Sequence, residues 1–145
     1  MNIPGAVNAP GCEVAYRAAD LVPDDDTTIV INCAGRTRSI IGTQTLINAG
    51  LPNRIVALKG GTMNWQLSGF TLDYGTTLRD APPSLYALDV ARERANKIAL
   101  TYDVRFIDAA TLDSWREEAE SRTLYIFDVR QPEEYAAGHL PGSRS

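Results

Sequence analysis

The sequence predicts an α/β protein: a parallel five-stranded sheet flanked by helices. Short apolar runs rich in β-branched and aromatic residues alternate with segments of helical periodicity along the whole chain, the pattern of a layered α/β fold. The apolar runs are also nearly continuous rather than alternating in polarity, as strands covered on both faces tend to be. Turn residues separate them at most junctions.

The elements follow in order. "GAVNA" at 5–9 is the weakest strand, and a helical pattern at 12–21 comes next. "TTIVIN" at 27–32 is a strand, followed by a helix over 38–49 that Gly50 is placed to end. "RIVAL" at 54–58 is a third strand, with a short helix over 62–68 behind it. The stretch 71–103 breaks the rhythm, opening with turn residues and continuing as a helix from about Ser84 to Leu100. Leu85, Leu88, Ala91 or Arg92, Ala95 and Ile98 form its apolar stripe, while Arg92, Glu93, Arg94 and Lys97 fall mostly on the other face. That helix reads as a connector packed on the body. "VRFI" at 104–107 and "TLYIF" at 123–127 are the last two strands, and a helix over 109–120, capped by Asp108, lies between them. The final helix, 132–138, starts at Pro132, with Glu133 and Glu134 in a first turn that favours negative charge.

Composition narrows the function. A chain of 145 residues, 44% hydrophobic and 22% charged, is one domain's worth of ordinary globular sequence. Its net charge of -4, with both signs interspersed, argues against a nucleic-acid surface or a membrane-binding stripe. No apolar run could span a bilayer, and "MNIPGAVNAP" lacks the regions of a signal peptide, so the cytosol is expected. Cys12 and Cys33 do not make a disulfide framework. One histidine, His139, and no paired Cys or His spacing leave a metal site without ligands.

The chemistry gathers in "NCAGRTRSII", where a strand gives way to a helix. Cys33 falls at the carboxyl end of its strand, where open α/β sheets place ligands. Ala34, Gly35, Arg36, Thr37, Arg38 and Ser39 must turn the chain tightly, and their amides can form an anion cradle at the positive end of the helix dipole. Arg36 and Arg38 add formal charge. A thiol so placed is held as thiolate, the form that attacks. The competing structural reading makes Cys33 a small core residue at a strand end. Cys12 has no basic neighbours and is incidental. Trp65 reads as core and His139 as a turn or packing residue, while "DDD" at 24–26 is a solvated turn.

These residues resemble the rhodanese, or thiosulfate sulfurtransferase, homology family. The resemblance rests on Cys33 with a six-residue loop closing in Arg38 and Ser39, on "LKGGTMNWQLSG" at 58–69, and on "FDVRQPEEYAAGHLPGS" at 127–143. The loop departs in having Arg36 where the family commonly has glycine, with Gly35 one place earlier. A larger departure is order, because the Asp-Val-Arg half normally precedes the cysteine half. "IPGAVN" at 3–8 and "LPGSRS" at 140–145 also repeat the joint between the halves at both ends of the chain. By this resemblance residues 1–70 are the back half of one repeat, 71–103 a helical linker, and 104–145 the front half of the next, as in a tandem-rhodanese protein. The five-stranded sheet would then close from two half-domains, within one chain in permuted order or between chains as a domain-swapped homodimer.

The resemblance implies a sulfurtransferase with Cys33 as nucleophile, the loop from Ala34 to Ser39 as its anion site, small-molecule sulfur donors and acceptors, and no cofactor. Asp128 and Arg130 follow a strand end and would brace the rim near the site. Phosphatases related to this fold place five residues between cysteine and arginine; here four separate Cys33 from Arg38, which disfavours phosphate chemistry. Inactive modules of the family, which serve as interaction or regulatory domains, typically lose the cysteine that this chain keeps.

Overall fold

In a computed structural model, which describes residues 1–11, 13–75, 82–118 and 120–145, the chain divides into two units, Met1–Tyr102 and Asp103–Ser145. Cys12 and part of the turn expected after residue 71 lie outside the described residues.

The first unit holds α1 (Val14–Leu21), β1 (Ile29–Ile31), α2 (Arg38–Asn48), β2 (Ile55–Ala57), α3 (Gly61–Leu67) and α4 (Leu85–Thr101). β1 and β2 are parallel, with Ile29, Val30 and Ile31 opposite Ile55, Val56 and Ala57. The right-handed way to join such strands is a helix between them, and α2 serves as that crossover, packing on both. Its length is set at the far end by a left-handed glycine: Gly50, at φ 74°, lets its own amide reach Ile47 O at 3.0 Å and that of Leu51 reach Leu46 O at 3.4 Å, so two orphan carbonyls are satisfied. Leu46 on the inner face of α2 is fully buried, and with Val14 and Ala18 of α1 it forms a small core against Ile29, Ile31 and Ile55.

α4 packs on α1 within the first unit. Its buried face largely follows the stripe read in the sequence, with Leu88, Ala91 and Ile98 partly buried beside the fully buried Ala87, but Leu85 at the first turn is 82% exposed. The start of α4 is pinned instead by polar groups. Ser84 Oγ accepts the Ala87 amide at 3.0 Å and donates to the Asp20 carboxylate at 2.6 Å, and the Ser84 amide donates to the same carboxylate at 2.8 Å. Polar capping thereby fixes where the helix begins and which side meets α1. The "DDD" turn is tied down as well, because Asn53 Nδ2 donates to the carbonyls of Asp24 at 2.9 Å and Thr27 at 3.0 Å.

The second unit contains α5 (Ala109–Glu117) and α6 (Pro132–Ala137). Asp108 caps α5 as expected, accepting the Thr111 amide at 2.8 Å. α6 starts at Pro132 behind a capping box in which Glu134 accepts the Gln131 amide at 3.0 Å.

Two strands, not five, are formed among the described residues. In the second unit 104–107 and 123–126 lack a ladder, and one parallel bridge joins Phe127 to Arg144. A strand needs a neighbour for its peptide groups and a cover for its apolar faces. Among the described residues of their unit these segments find no more than that one bridge and little cover: Phe106, Phe127 and Val129 are 82%, 69% and 74% exposed. "GAVNA" at 5–9 begins in a turn rather than a strand, with Gly5 at φ 76° and Ala6 N bonded to Ile3 O at 3.0 Å. The segment Leu140–Ser143 makes the same turn, with Gly142 at φ 80° and Ser143 N bonded to Leu140 O at 3.0 Å. The repeated Pro-Gly sequence is therefore a repeated conformation. Among the described residues no helix is long and apolar enough to cross a membrane.

Candidate active site

β1 ends two residues before Cys33, and α2 begins at Arg38, so the loop between them is held at both ends by regular structure. Its floor is a second turn. The Thr62 amide, in the first turn of α3, donates to Cys33 O at 2.9 Å. Gly61, at φ 53°, lies so close that a side-chain carbon there would overlap Cys33 O and the Gly35 amide. Gly35, at φ 118°, lies as tightly against the Gly60 carbonyl. The Gly-Gly pair after β2 is thus a backbone-to-backbone buttress for the cysteine loop, a contact no larger residue allows.

Above that floor the thiol is surrounded by donors. Ser39, 4% exposed in the first turn of α2, places Oγ 3.3 Å from Cys33 Sγ, and the Gly35 amide donates to Sγ at 3.3 Å. Once the thiol ionises, the Ser39 hydroxyl donates to the sulfur. Its hydrogen bond is the largest cause of a Cys33 pKa lowered to about 6; the Gly35 amide comes next, burial opposes them, and the Ser39 and Arg36 amides add smaller lowering effects. Cys33 is a free thiol, partly exposed rather than sealed in the core.

This corrects the sequence reading in one respect. The guanidinium groups of Arg36 and Arg38 are not among the causes of the shift; a hydroxyl and peptide amides are. Thr37 occupies the N-cap position of α2 without a side-chain capping bond. Ser39, which the sequence places in the anion-binding loop through its amide, is through its hydroxyl the main partner of the sulfur. A serine six residues after the cysteine, one step into the helix, was the available signal.

The loop opens on a cleft of about 740 Å³, lined by Cys33, Ala34 and Arg38 together with Val30, Asn32 and the segment from Ala6 to Gly11. The two arginines differ here. Arg38 lines the cleft and Arg36 does not. An anion entering would meet the Cys33 sulfur, the amides at the start of α2 and one guanidinium.

Trp65 is half-buried rather than core. Its indole N–H donates to Thr71 O at 2.8 Å and its ring lies 4.7 Å from that of Phe70, closing the chain behind α3.

Asp128 and Arg130 belong to the second unit, where they pair with each other. Arg130 Nη2 donates to Asp128 Oδ2 at 2.6 Å and Nε to Oδ1 at 2.9 Å, and Nη2 also reaches Gly138 O at 2.7 Å. That fork holds the Asp128 pKa down, to about 2. His139 stacks on Tyr135 at 4.0 Å, and the Tyr135 hydroxyl donates to Ser143 O at 2.7 Å. Asp128, Arg130 and Gly138 are thus tied together, as are Tyr135, His139 and Ser143, with His139 as a packing residue on Tyr135. Among the described residues no cluster of three or more His, Cys, Asp or Glu side chains could hold a metal ion.

Comparison with known proteins agrees with this geometry. A family model described as a rhodanese-like domain matches residues 1–68 and 108–145. The crystal structure of a thiosulfate sulfurtransferase from Pseudomonas aeruginosa superimposes with a TM-score of 0.88 at 50% identity, covering 99% of this chain and 27% of that one. The chain thus spans about a quarter of that protein's length. The search of curated proteins gave no match.

Proposed function

The chain belongs to the rhodanese-like domain family, and on that premise we propose that it is a sulfurtransferase working through a persulfide on Cys33. One observation carries the reading: a partly exposed thiol of lowered pKa, ringed by donors, opens on a cleft that Arg38 shares.

The chemistry follows from that arrangement. With a pKa near 6 the Cys33 sulfur is chiefly thiolate at neutral pH. It attacks the outer sulfur of thiosulfate, whose sulfur–sulfur bond breaks with the electron pair leaving on sulfite. Cys33 then carries one additional sulfur as a persulfide anion. Cyanide or a thiolate attacks that outer sulfur in turn, taking it away as thiocyanate or a new persulfide and returning the Cys33 thiolate. Arg38 holds the sulfonate end of the donor, and the Gly35, Arg36 and Ser39 groups stabilise the anion before and after transfer. No electrons are gained or lost overall, so no redox cofactor is required.

The active form in this reading is the five-stranded parallel sheet of a whole repeat, built from a half like residues 1–70 and a half like residues 104–145 of a tandem arrangement, with Asp128 and Arg130 bracing its rim. The open cleft and the exposed apolar segments of both units support that reading. Four residues between Cys33 and Arg38, one fewer than in related phosphatases, leave phosphate transfer less well served. The test is turnover: thiocyanate formed from thiosulfate and cyanide, with parallel double-reciprocal lines and complete loss in Cys33→Ser. Cys33-independent thiocyanate, or none from a folded sample, contradicts the assignment; the latter outcome favours a binding module.

A further inference from the structure

α1 and α4 meet without closing fully on each other. Beside their contact lies a second cavity of about 360 Å³, and the described residues that line it all belong to the first unit. Small-molecule sites run from about 300 to 1,000 Å³, so the space is adequate for one ligand. Side-chain size creates it. Ala15, Ala49, Ala91 and Ala95 each contribute no more than a methyl group to the lining, while Tyr16, Leu88 and Ile98, all half-buried, wall the space. Such a lining gives water few partners and suits hydrocarbon. The cavity also stands apart from the cysteine loop: Ala49 closes α2, whose opposite end starts beside Cys33, about 16 Å away along 11 residues of helix.

Positive charge gathers at its mouth. Helical periodicity sends Arg92 and Arg94 to opposite flanks of the α4 stripe, and both line the cavity. They are not equivalent. Arg92 Nη1 donates to Asp89 Oδ1 at 2.9 Å on the surface, whereas Arg94, half-buried, has no hydrogen bond or ion pair among the described residues. Lys97, one turn beyond Arg94, adds a second cation: a methyl group built on Gly50, the neighbour of Ala49, would lie 3.9 Å from its Nζ. The acids of the two helices are already engaged, Glu13 with Arg17, Asp20 with Ser84 and Asp89 with Arg92. Glu93 falls on the far face of α4. A half-buried guanidinium beside apolar walls gains from an anion, and a carboxylate meets its fork with two parallel bonds.

We propose that this cavity binds a medium-chain alkyl carboxylate, with the tail against Leu88 and Ile98 and the head on Arg94. Lys97 strengthens the field that draws the head in. Apolar walls and an unspent guanidinium select for both parts of such a ligand: a bare anion leaves the walls uncovered, and a neutral alkyl chain leaves Arg94 as it was. The site is separate from the sulfurtransferase reading and does not depend on it.

The test is calorimetric titration of the full-length chain with decanoate, below the concentration at which it forms micelles. Binding should saturate at one ligand per chain. Decanol, without the charged head, and butanoate, without the tail, should each bind more weakly by about tenfold or more. Arg94→Gln should weaken decanoate about tenfold and leave decanol unchanged, and Arg94→Lys should restore part of the loss. Ala91→Leu should fill the cavity and remove binding of both. Because that variant adds bulk between two helices, methyl NMR of the unaltered chain supplies a second reading: decanoate should shift the Leu88 and Ile98 signals and spare those of the exposed Ile40 and Ile41. Cys33→Ser should bind decanoate as the unaltered chain does, which keeps this result apart from sulfur transfer. Titration without saturation, equal affinity for decanoate and decanol, or shifts spread to Ile40 and Ile41, the mark of detergent-like adsorption, overturns the proposal.

Discussion

The Ser39 hydroxyl lies 3.3 Å from Cys33 Sγ, and this contact, ahead of any formal positive charge, is the first cause of a thiol pKa near 6. The sign is that of an acid whose anion is stabilised. Thiolate persists above about pH 6 and is lost as pH falls through that value. Ser39→Ala should move the midpoint of Cys33 alkylation by iodoacetamide upward, toward that of an ordinary thiol, and slow the reaction at pH 7. Ser39→Thr, which keeps the hydroxyl, should restore much of the shift. An unmoved midpoint in Ser39→Ala would assign the activation to the amides alone.

Gly61→Ala should be costly out of proportion to one methyl group. The new carbon meets the Cys33 carbonyl and the Gly35 amide, both backbone, and the residue must keep φ near 53°. Strain of this kind costs about 2 kcal/mol. Urea denaturation should show that loss, and the Cys33 alkylation profile should change with it because the loop floor has moved. Gly69→Ala also faces a positive φ but has open space around it, so it should leave the alkylation profile alone.

The helices were legible because their signals are local. Asp108 before α5, Pro132 at the start of α6 and Gly50 after α2 each act within one turn, and the structure uses all three. The cysteine loop was legible for the same reason. Strands depend on partners distant in sequence. "TTIVIN" and "RIVAL" found each other across the α2 crossover, whereas "VRFI" and "TLYIF" are apolar enough to be strands but, among the described residues of their unit, form no ladder beyond the single Phe127–Arg144 bridge. The partner of the Cys33 sulfur was misjudged on similar grounds. Arg36 and Arg38 are conspicuous in a sequence, but their charge sits at the ends of long exposed side chains. Ser39 is inconspicuous, and the helix turns its short hydroxyl directly to the thiol. The first turn of α4 departs from its apolar stripe, leaving Leu85 exposed, because the Asp20–Ser84 contact rather than packing sets where the helix begins.

The loop arginines should separate in kinetics. Arg38 lines the cleft with Cys33, whereas Arg36 does not. Losing a charge-assisted contact to the donor's sulfonate should raise the KM for thiosulfate about tenfold in Arg38→Ala, while Arg36→Ala changes it little. Equal effects from both substitutions would count against a single guanidinium in the cleft.

The junction of α1 and α4 should depend on Ser84. Ser84→Ala removes the N-cap of α4 and its side-chain bond to Asp20, at a cost of about 1 kcal/mol. Asp20→Asn combined with Ser84→Ala should cost less than the two singly, the signature of a shared contact. Additive losses in thermal denaturation would show that the cap and the carboxylate act separately.

The most direct measurement is the intact mass of the chain after exposure to thiosulfate, taken beside that of Cys33→Ser. The account predicts a gain of one sulfur atom in the first sample, absent from the second and discharged by cyanide. A folded, well-behaved wild-type sample that keeps its original mass, or a gain that survives Cys33→Ser, would contradict it.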